Sequence, residues 1–346
     1  MKKKTLWIIL LLGVSVQLFT ACERRPLEDD FAEMALIPVK IDWSKSGIAV
    51  TSPGGNGLVH RVSLRFFPKD GSRPFDRYLE SNVIEGEIEV PVGSYDVVVY
   101  NEAIDDIYWE DVIYFTDANN YNSFAANITA ANLNDYPRYK MLPDEELIVE
   151  PLRLASWSIE NFTVTKDMVT YSRSRNRSSI TLRDTHYDEL TRVVMRPLTY
   201  TVTISASIEN LCSAHQIQTG VRGFAKKVYM ASAQTEQLPA THIVTLNGRI
   251  WDDVAQRNGR TSSSFLSFGR LPQSSQYWVN LDVLLITGAS YTPPQPLLFN
   301  VTDQVGQTSG NLHYEVEINI DLNLSLPYHD GGIRVDEWGE DEYILQ

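Results

Sequence analysis

Two thiols, six histidines and 44 carboxylates are the groups with which this 346-residue chain could do chemistry, and one thiol stands in a specific setting. Cys22 follows Leu18-Phe19-Thr20-Ala21, a run that resembles a bacterial lipobox. A cysteine placed there offers its thiolate to a diacylglyceryl group, and cleavage after the small Ala21 frees an amine for a further acyl chain. One acyl chain holds a protein on a bilayer only marginally, whereas two or more give stable anchoring. Phe19 departs from the leucine usual at its position. The residues upstream supply the rest of an export leader: Lys2, Lys3 and Lys4 form the positive start, and Leu6 to Val16 an apolar stretch too short and too early for a membrane span. Residues 1–21 therefore read as a leader that is removed, and Cys22 as the first residue of the processed chain.

No other group is set among partners that catalysis or metal binding would need. His60, His186, His215, His242, His313 and His329 are scattered, with no spacing that puts two on one face beside a carboxylate. Asp117-Ala118-Asn119-Asn120-Tyr121-Asn122 begins like a calcium loop but lacks the glycine at its sixth position and the closing glutamate, so it reads as a turn-rich loop. Asp105-Asp106 beside Tyr108 and Trp109 has the residue types of a glycosidase or, with Tyr114, of a sugar-stacking platform. Adjacent acids in a β-rich chain are generally just solvated, and strand aromatics generally make core or cross-strand pairs. Gly-x-Ser-x-Gly, a Walker loop and a dinucleotide fingerprint are absent. With Cys22 acylated, Cys212 has no intramolecular partner, which excludes a disulfide framework and a multi-cysteine zinc site. In Asn210-Leu211-Cys212 it reads as a buried small hydrophobe. The expectation is a non-enzyme without metal or cofactor.

The net charge of −14 becomes three units more negative when the leader departs with its lysines and no acid. That balance argues against nucleic acid and against adsorption to anionic headgroups, and it suits a body held off a membrane by its lipid. Residues 22–34 are charged, contain Pro26 and lack periodicity, so they read as a tether; Glu28-Asp29-Asp30 is compatible with a signal for display on the outer face of the outer membrane, and equally with a plain solvated linker.

Beyond the tether the dominant period is two, and it points to an all-β fold of antiparallel sheets with one wet and one dry face, packed as sandwiches. Ile37, Val39, Ile41 and Trp43 share a face; after a turn at Pro53 to Gly57, Val62, Leu64 and Phe66 share another, and the two runs are expected to pair as a hairpin. Ile84, Gly86, Ile88, Val90 and Val92 alternate with acids, Gly93-Ser94 turns the chain, and Tyr95, Val97 and Val99 return. The pattern weakens through the basic stretch at Tyr171 to Ser179 and restarts at Leu198, Tyr200, Val202, Ile204, Ala206 and Ile208. The restart predicts two domains, residues 35–170 and 190–346, with their boundary between Leu154 and Val194. Val279 to Leu285 forms a further strand, and the longest alternation runs from Leu312 to Leu326. Short helices are conceivable at Ala130–Leu133 or Ile250–Gln256.

After a turn at Tyr328 to Gly332, Ile333, Val335, Trp338 and Tyr343 interleave with Arg334, Asp336, Glu337, Glu340, Asp341 and Glu342. This segment reads either as a last strand with acidic gatekeepers or as a strand offered to a neighbouring subunit, since an unpaired edge presents donors and acceptors for strand addition. The leader and lipobox, Val90-Pro91-Val92-Gly93-Ser94-Tyr95-Asp96-Val97-Val98-Val99-Tyr100-Asn101, the Arg196-Pro197 before a Thr-rich strand, and Val335-Asp336-Glu337-Trp338-Gly339 together resemble the fimbrillin-related lipoproteins of Bacteroides-type bacteria. Anchor subunits of minor and major fimbriae, and an uncharacterised group of similar lipoproteins, are the nearest likenesses. The resemblance implies two transthyretin-like, Greek-key β-sandwich domains in series and assembly by strand exchange. It further implies a subunit held by outer-membrane lipid at the cell surface, with fimbrial subunits as partners. Arg173, Arg175 and Arg177 offer a cleavable loop, but lie too far inside the chain for the N-terminal maturation of shaft subunits. The competing reading is a surface glycan-binding lipoprotein, which needs exposed aromatics on one domain face; a hydrolase ranks last.

Overall fold

The alternating runs do become strands, and their apolar members form the interior. A computed structural model describes residues 33–50, 59–102, 111–136, 139, 145–169, 190–272, 276–291, 297–307 and 313–322. The first half contains β1 (Met34–Asp42), β2 (Arg61–Pro68), β3 (Phe75–Leu79), β4 (Glu85–Pro91), β5 (Gly93–Glu102), β6 (Ile113–Thr116), β7 (Ala125–Ile128), β8 (Leu147–Ile148) and β9 (Ala155–Val164). The second contains β10 (Val193–Val194), β11 (Arg196–Pro197), β12 (Tyr200–Glu209), β13 (Ala214–Ala225), β14 (Lys227–Tyr229), β15 (Pro239–Thr245), β16 (Gly248–Trp251), β17 (Gly259–Ser267), β18 (Trp278–Leu285), β19 (Leu298–Asn300), a short helix Thr302–Gln307, and β20 (His313–Asp321). The fold is all-β.

One sandwich sets the sheet β10-β1-β4 against β11-β9-β5-β2-β3, and Ile37, Val39, Leu64, Phe66, Ile88, Val97 and Phe162 meet between them. The other sets β16-β17-β12-β20 against β19-β18-β13-β15-β8, around Val202, Ile204, Phe224, Val279, Val316 and Ile318. The expected hairpin of Ile37–Trp43 with Val62–Phe66 does not form. β1 pairs with β4, while β2 pairs with β3 and β5 in the opposite sheet. β1 and β2 each turn an apolar face to the core, and placing them in opposite sheets lets those faces meet across it. Likewise the turn at Gly93 carries the chain from one sheet to the other, and there the Tyr95 hydroxyl donates to the Pro91 carbonyl at 2.9 Å.

Nor are the sheets wholly antiparallel. β1 runs parallel to β10, β12 to β20, and β15 to β8. Alternation fixes which face of a strand is dry but not its direction, so this was open to error. In β13 the ladder slips by one residue between Arg222 and Phe224, where Gly223 has φ +111° and a side chain would strike the Gln276 carbonyl. Neither helix expectation is met: Ala130 bridges to Ile148 and a 3₁₀ turn begins only at Leu133, running to Asp135, while Ile250 and Trp251 lie in β16, with a turn after them.

A third interior joins the two sandwiches. Phe67, Val98 and Tyr100 point away from the first core and pack with Phe124, Ala126, Leu154, Leu198, Val228, Met230 and Phe268. This explains β5, whose residues from Tyr95 to Asn101 are buried on both faces. Its sheet, β14-β7-β6, draws strands from both halves of the chain.

Candidate functional site

The junction is held by backbone pairing as well as by apolar contact. β7 pairs with β14, Asn127 opposite Lys227, and β8 adds to β15, Leu147 opposite Thr241. Side chains reinforce it. Ser156 and Ser158 donate to the carbonyls of Met230 and Ala231 at 2.9 and 2.7 Å, and Arg196 donates to the Ser158 hydroxyl at 3.0 Å and to the Ala231 carbonyl. Arg65 pairs with Asp76 at 2.8 Å, donates to the Ala118 carbonyl at 2.8 Å and lies 5.4 Å over the Phe124 ring. Lys226 pairs with Glu146 at 2.7 Å, and Glu145 accepts from Tyr139 and Thr241, each at 2.8 Å. Burial raises the Tyr100 and Tyr139 hydroxyls far above the ordinary phenol range, so both remain neutral donors. Strand pairing, side-chain bonds and shared apolar contacts thus tie the two sandwiches together.

The second feature is an edge. β20 is bonded to β12 on one side, and no strand covers its other side among the described residues. The Leu322 amide reaches inward to the Glu209 carbonyl at 3.2 Å, and backbone direction alternates along a strand. The N–H and C=O groups of His313, Glu315, Glu317, Asn319 and Asp321 therefore point outward. At Glu317 they meet the Gln304 carboxamide, with Nε2 donating to the carbonyl at 2.9 Å and Oε1 accepting from the amide at 2.7 Å. Tyr314, Val316, Ile318 and Ile320 stay buried beneath this edge.

Cys22, residues 22–32 of the tether, and the segment carrying Ile333, Val335, Trp338 and Tyr343 lie outside the described residues, as do Asp105, Asp106, Tyr108 and Trp109; the last tether residues, Glu33 and Met34, are already held in the first sheet, where Met34 opens β1. Tyr114, the member of that aromatic group which is described, is 44% exposed on β6. The Asp117–Asn122 loop closes on itself: Asn120 N–H donates to the Asp117 carbonyl at 2.9 Å and Asn122 N–H to the Asn120 side chain at 3.0 Å. Among the described residues no group of three or more histidines, cysteines or acids converges on a point. Cys212 corrects an expectation. It is exposed, because Leu211 takes the inward place of the 3₁₀ turn Leu211–Ser213 and turns its neighbour to solvent.

A family model described as a domain of unknown function, DUF5119, matches residues 21–245. The chain belongs to this family. The DUF5119 region ends at the last residue of β15, so it contains both strand pairings of the junction, β7 with β14 and β8 with β15. The β20 edge lies beyond it. The chain is 37% identical over 100 residues to a candidate fimbrium anchoring subunit, Fim4B, of Bacteroides ovatus, a match over 29% of this chain and 27% of that relative's length. In structure it is similar to a candidate adhesin of Bacteroides ovatus, at 16% identity and a TM-score of 0.52, over 87% of this chain and 96% of the other. The fimbrial anchor protein Mfa2 of Porphyromonas gingivalis aligns over 83% of this chain and 90% of its own, at 11% identity and a TM-score of 0.41. The expected resemblance to fimbrial anchor proteins thus holds, while the leader and Val335–Gly339, which also carried it, lie outside the described residues. In this DUF5119 chain Arg196 is one of the bonds that fix the junction.

The junction itself left little trace in the sequence. All four residues of β7 are buried, so it shows no period, and β8 is two residues long. The unbroken apolar run Val97-Val98-Val99-Tyr100 was the available signal, since a strand with no wet face must be covered on both sides.

Proposed function

We propose that this protein is a non-enzymatic structural subunit of the cell surface that anchors a fimbrium or serves as its accessory. Lipids on Cys22 hold one end to the outer membrane, residues 22–34 give reach, and the fused sandwiches carry load to a fimbrial subunit. That partner engages by β-strand addition, through a backbone edge such as that of β20 and through the segment containing Ile333, Val335, Trp338 and Tyr343. Two domains, residues 35–170 and 190–346, are the intended load-bearing units, and the third interior makes them act as one. The observation that carries this reading is the third core with its interleaved strands, because a force-bearing link needs a joint that does not open. Family membership and the partial likeness to a candidate fimbrium anchoring subunit support the same role.

The test is a photo-crosslinking residue placed at Asn319, on the outward edge, in cells that assemble fimbriae. A crosslink to a fimbrial subunit, lost when residues from Ile333 onward are removed or when the subunit's own terminal strand is deleted, is the expected outcome. Absence of any crosslink from Asn319, Glu315 and Trp338 positions alike, in cells with normal fimbriae, would reject strand addition at this end.

A further inference from the structure

A cavity of about 550 Å³ opens where the start of β12, the start of β20, the β14–β15 loop and the short helix converge. Its size lies within the roughly 300–1,000 Å³ of small-molecule sites. Tyr200 and Tyr314 stand 5.8 Å apart, and Phe224 packs beneath Tyr277 and Tyr314 at 5.3 and 5.7 Å. Gly269, at φ +94°, lets the chain pass against Tyr200, where a side chain would meet the ring at 2.9 Å. It thereby delivers Arg270 to the wall. The Arg270 backbone bridges to Phe224 and accepts from the Thr235 hydroxyl at 2.5 Å. Its guanidinium donates to the Gly306 carbonyl at 3.2 Å and makes no ion pair among the described residues.

The chemistry of this wall is lopsided. Arg270 is a donor fork that serves the Gly306 carbonyl and the Tyr314 hydroxyl and has further N–H groups to offer, Tyr277 Oη accepts from the Leu271 amide at 3.2 Å and has its own proton to give, and Tyr200 and Tyr314 line the same space. Burial raises all three phenols, and the nearby Arg270 charge opposes that rise, so the hydroxyls keep their protons. Among the described residues no carboxylate lines the cavity. In a chain of net charge −14, a half-buried cation with no acid beside it among the described residues is an open valence for an anion.

We propose that this cavity binds an acidic sugar of the uronic-acid type, with the ring carboxylate on Arg270 and the pyranose against Tyr200. A free amino acid is disfavoured because the described wall has no acid for its ammonium group. Sugar hydroxyls can accept from the phenols and from Gln234 as readily as they donate. The site is independent of the fimbrial role, and adds recognition of an acidic polysaccharide to an anchored surface protein.

The test is calorimetric titration of the full-length protein in detergent with digalacturonate, galacturonate, galactose and N-acetylalanine. Saturable binding of the uronates at millimolar affinity or tighter is expected, with galactose and N-acetylalanine each at least tenfold weaker. Arg270→Gln should weaken uronate binding at least tenfold at unchanged Tm, and Arg270→Lys should recover part of it. No uronate binding, or galactose equal to galacturonate, would overturn the proposal without recourse to any variant. N-acetylalanine equal to galacturonate would overturn the sugar assignment, and undiminished binding by a folded Arg270→Gln would overturn the site.

Discussion

Gln304 and Glu317 close a two-bond ring in which the carboxamide satisfies both backbone groups of one residue on the outer edge of β20. The side chain does at a single residue what a neighbouring strand would do along the whole edge. Gln304→Ala is expected to speed hydrogen exchange of the Glu317 amide and to cost about 1–2 kcal/mol of stability. Gln304→Glu keeps the shape but cannot donate to the carbonyl, and should behave similarly. Exchange measured by mass spectrometry with denaturant titration checks both; an unaltered Glu317 amide in both variants would mean that the edge is covered by other groups.

Phe124 sits in the third interior against Phe67, Tyr100 and Phe115, and is 1% exposed. Truncating a phenylalanine there should cost about 3–5 kcal/mol. If that core couples the sandwiches, the parent protein unfolds in one transition and Phe124→Ala lowers or splits it. Calorimetry decides the matter: two well-separated transitions in the parent would show the junction to be a loose contact.

His242 is 2% exposed, packs 4.7 Å from the Phe265 ring, and has no partner at Nε2 among the described residues. Burial pushes its pKa down to about 3 from the ordinary 6.5. Between those values the unfolded chain takes up a proton that the folded chain refuses, so stability falls as pH falls through this window, by up to about 1.4 kcal/mol per pH unit. His242→Gln should flatten that acid limb. Burial raises the Glu150 carboxyl near it, whose linkage has the opposite sign, since its contribution favours the folded state below the ordinary carboxylate pKa. Glu150→Gln should therefore steepen the limb. Thermal melts across the pH range check both, and an acid limb unchanged in His242→Gln would place the titration elsewhere.

The sandwiches were legible where their strands keep one wet face, as β12 and β20 do. The alternation through Tyr314, Val316, Ile318, Ile320 and Leu322 announced β20, and Val202, Ile204, Ala206 and Ile208 announced β12, each of these residues buried as its alternation required. Partnership was not legible. Ile41 sits opposite Val193 and Val202 opposite Tyr314, pairings that span more than a hundred residues and depend on crossings that local periodicity does not record. The Arg270 cavity escaped for a similar reason: Tyr200, Arg270 and Tyr314 come together only through the fold, and each alone reads as an ordinary strand or loop residue. Cys212 was misread because burial in a one-turn helix depends on which residue points inward, and there Leu211 does.

The account stands or falls on attachment through Cys22. In cells making fimbriae, Cys22→Ser should release the protein from the outer membrane and shift fimbriae from the cell surface into the medium, both scored by fractionation and by immunogold counts of fimbriae per cell. Cells that keep the variant and their fimbriae bound at parental levels would contradict it.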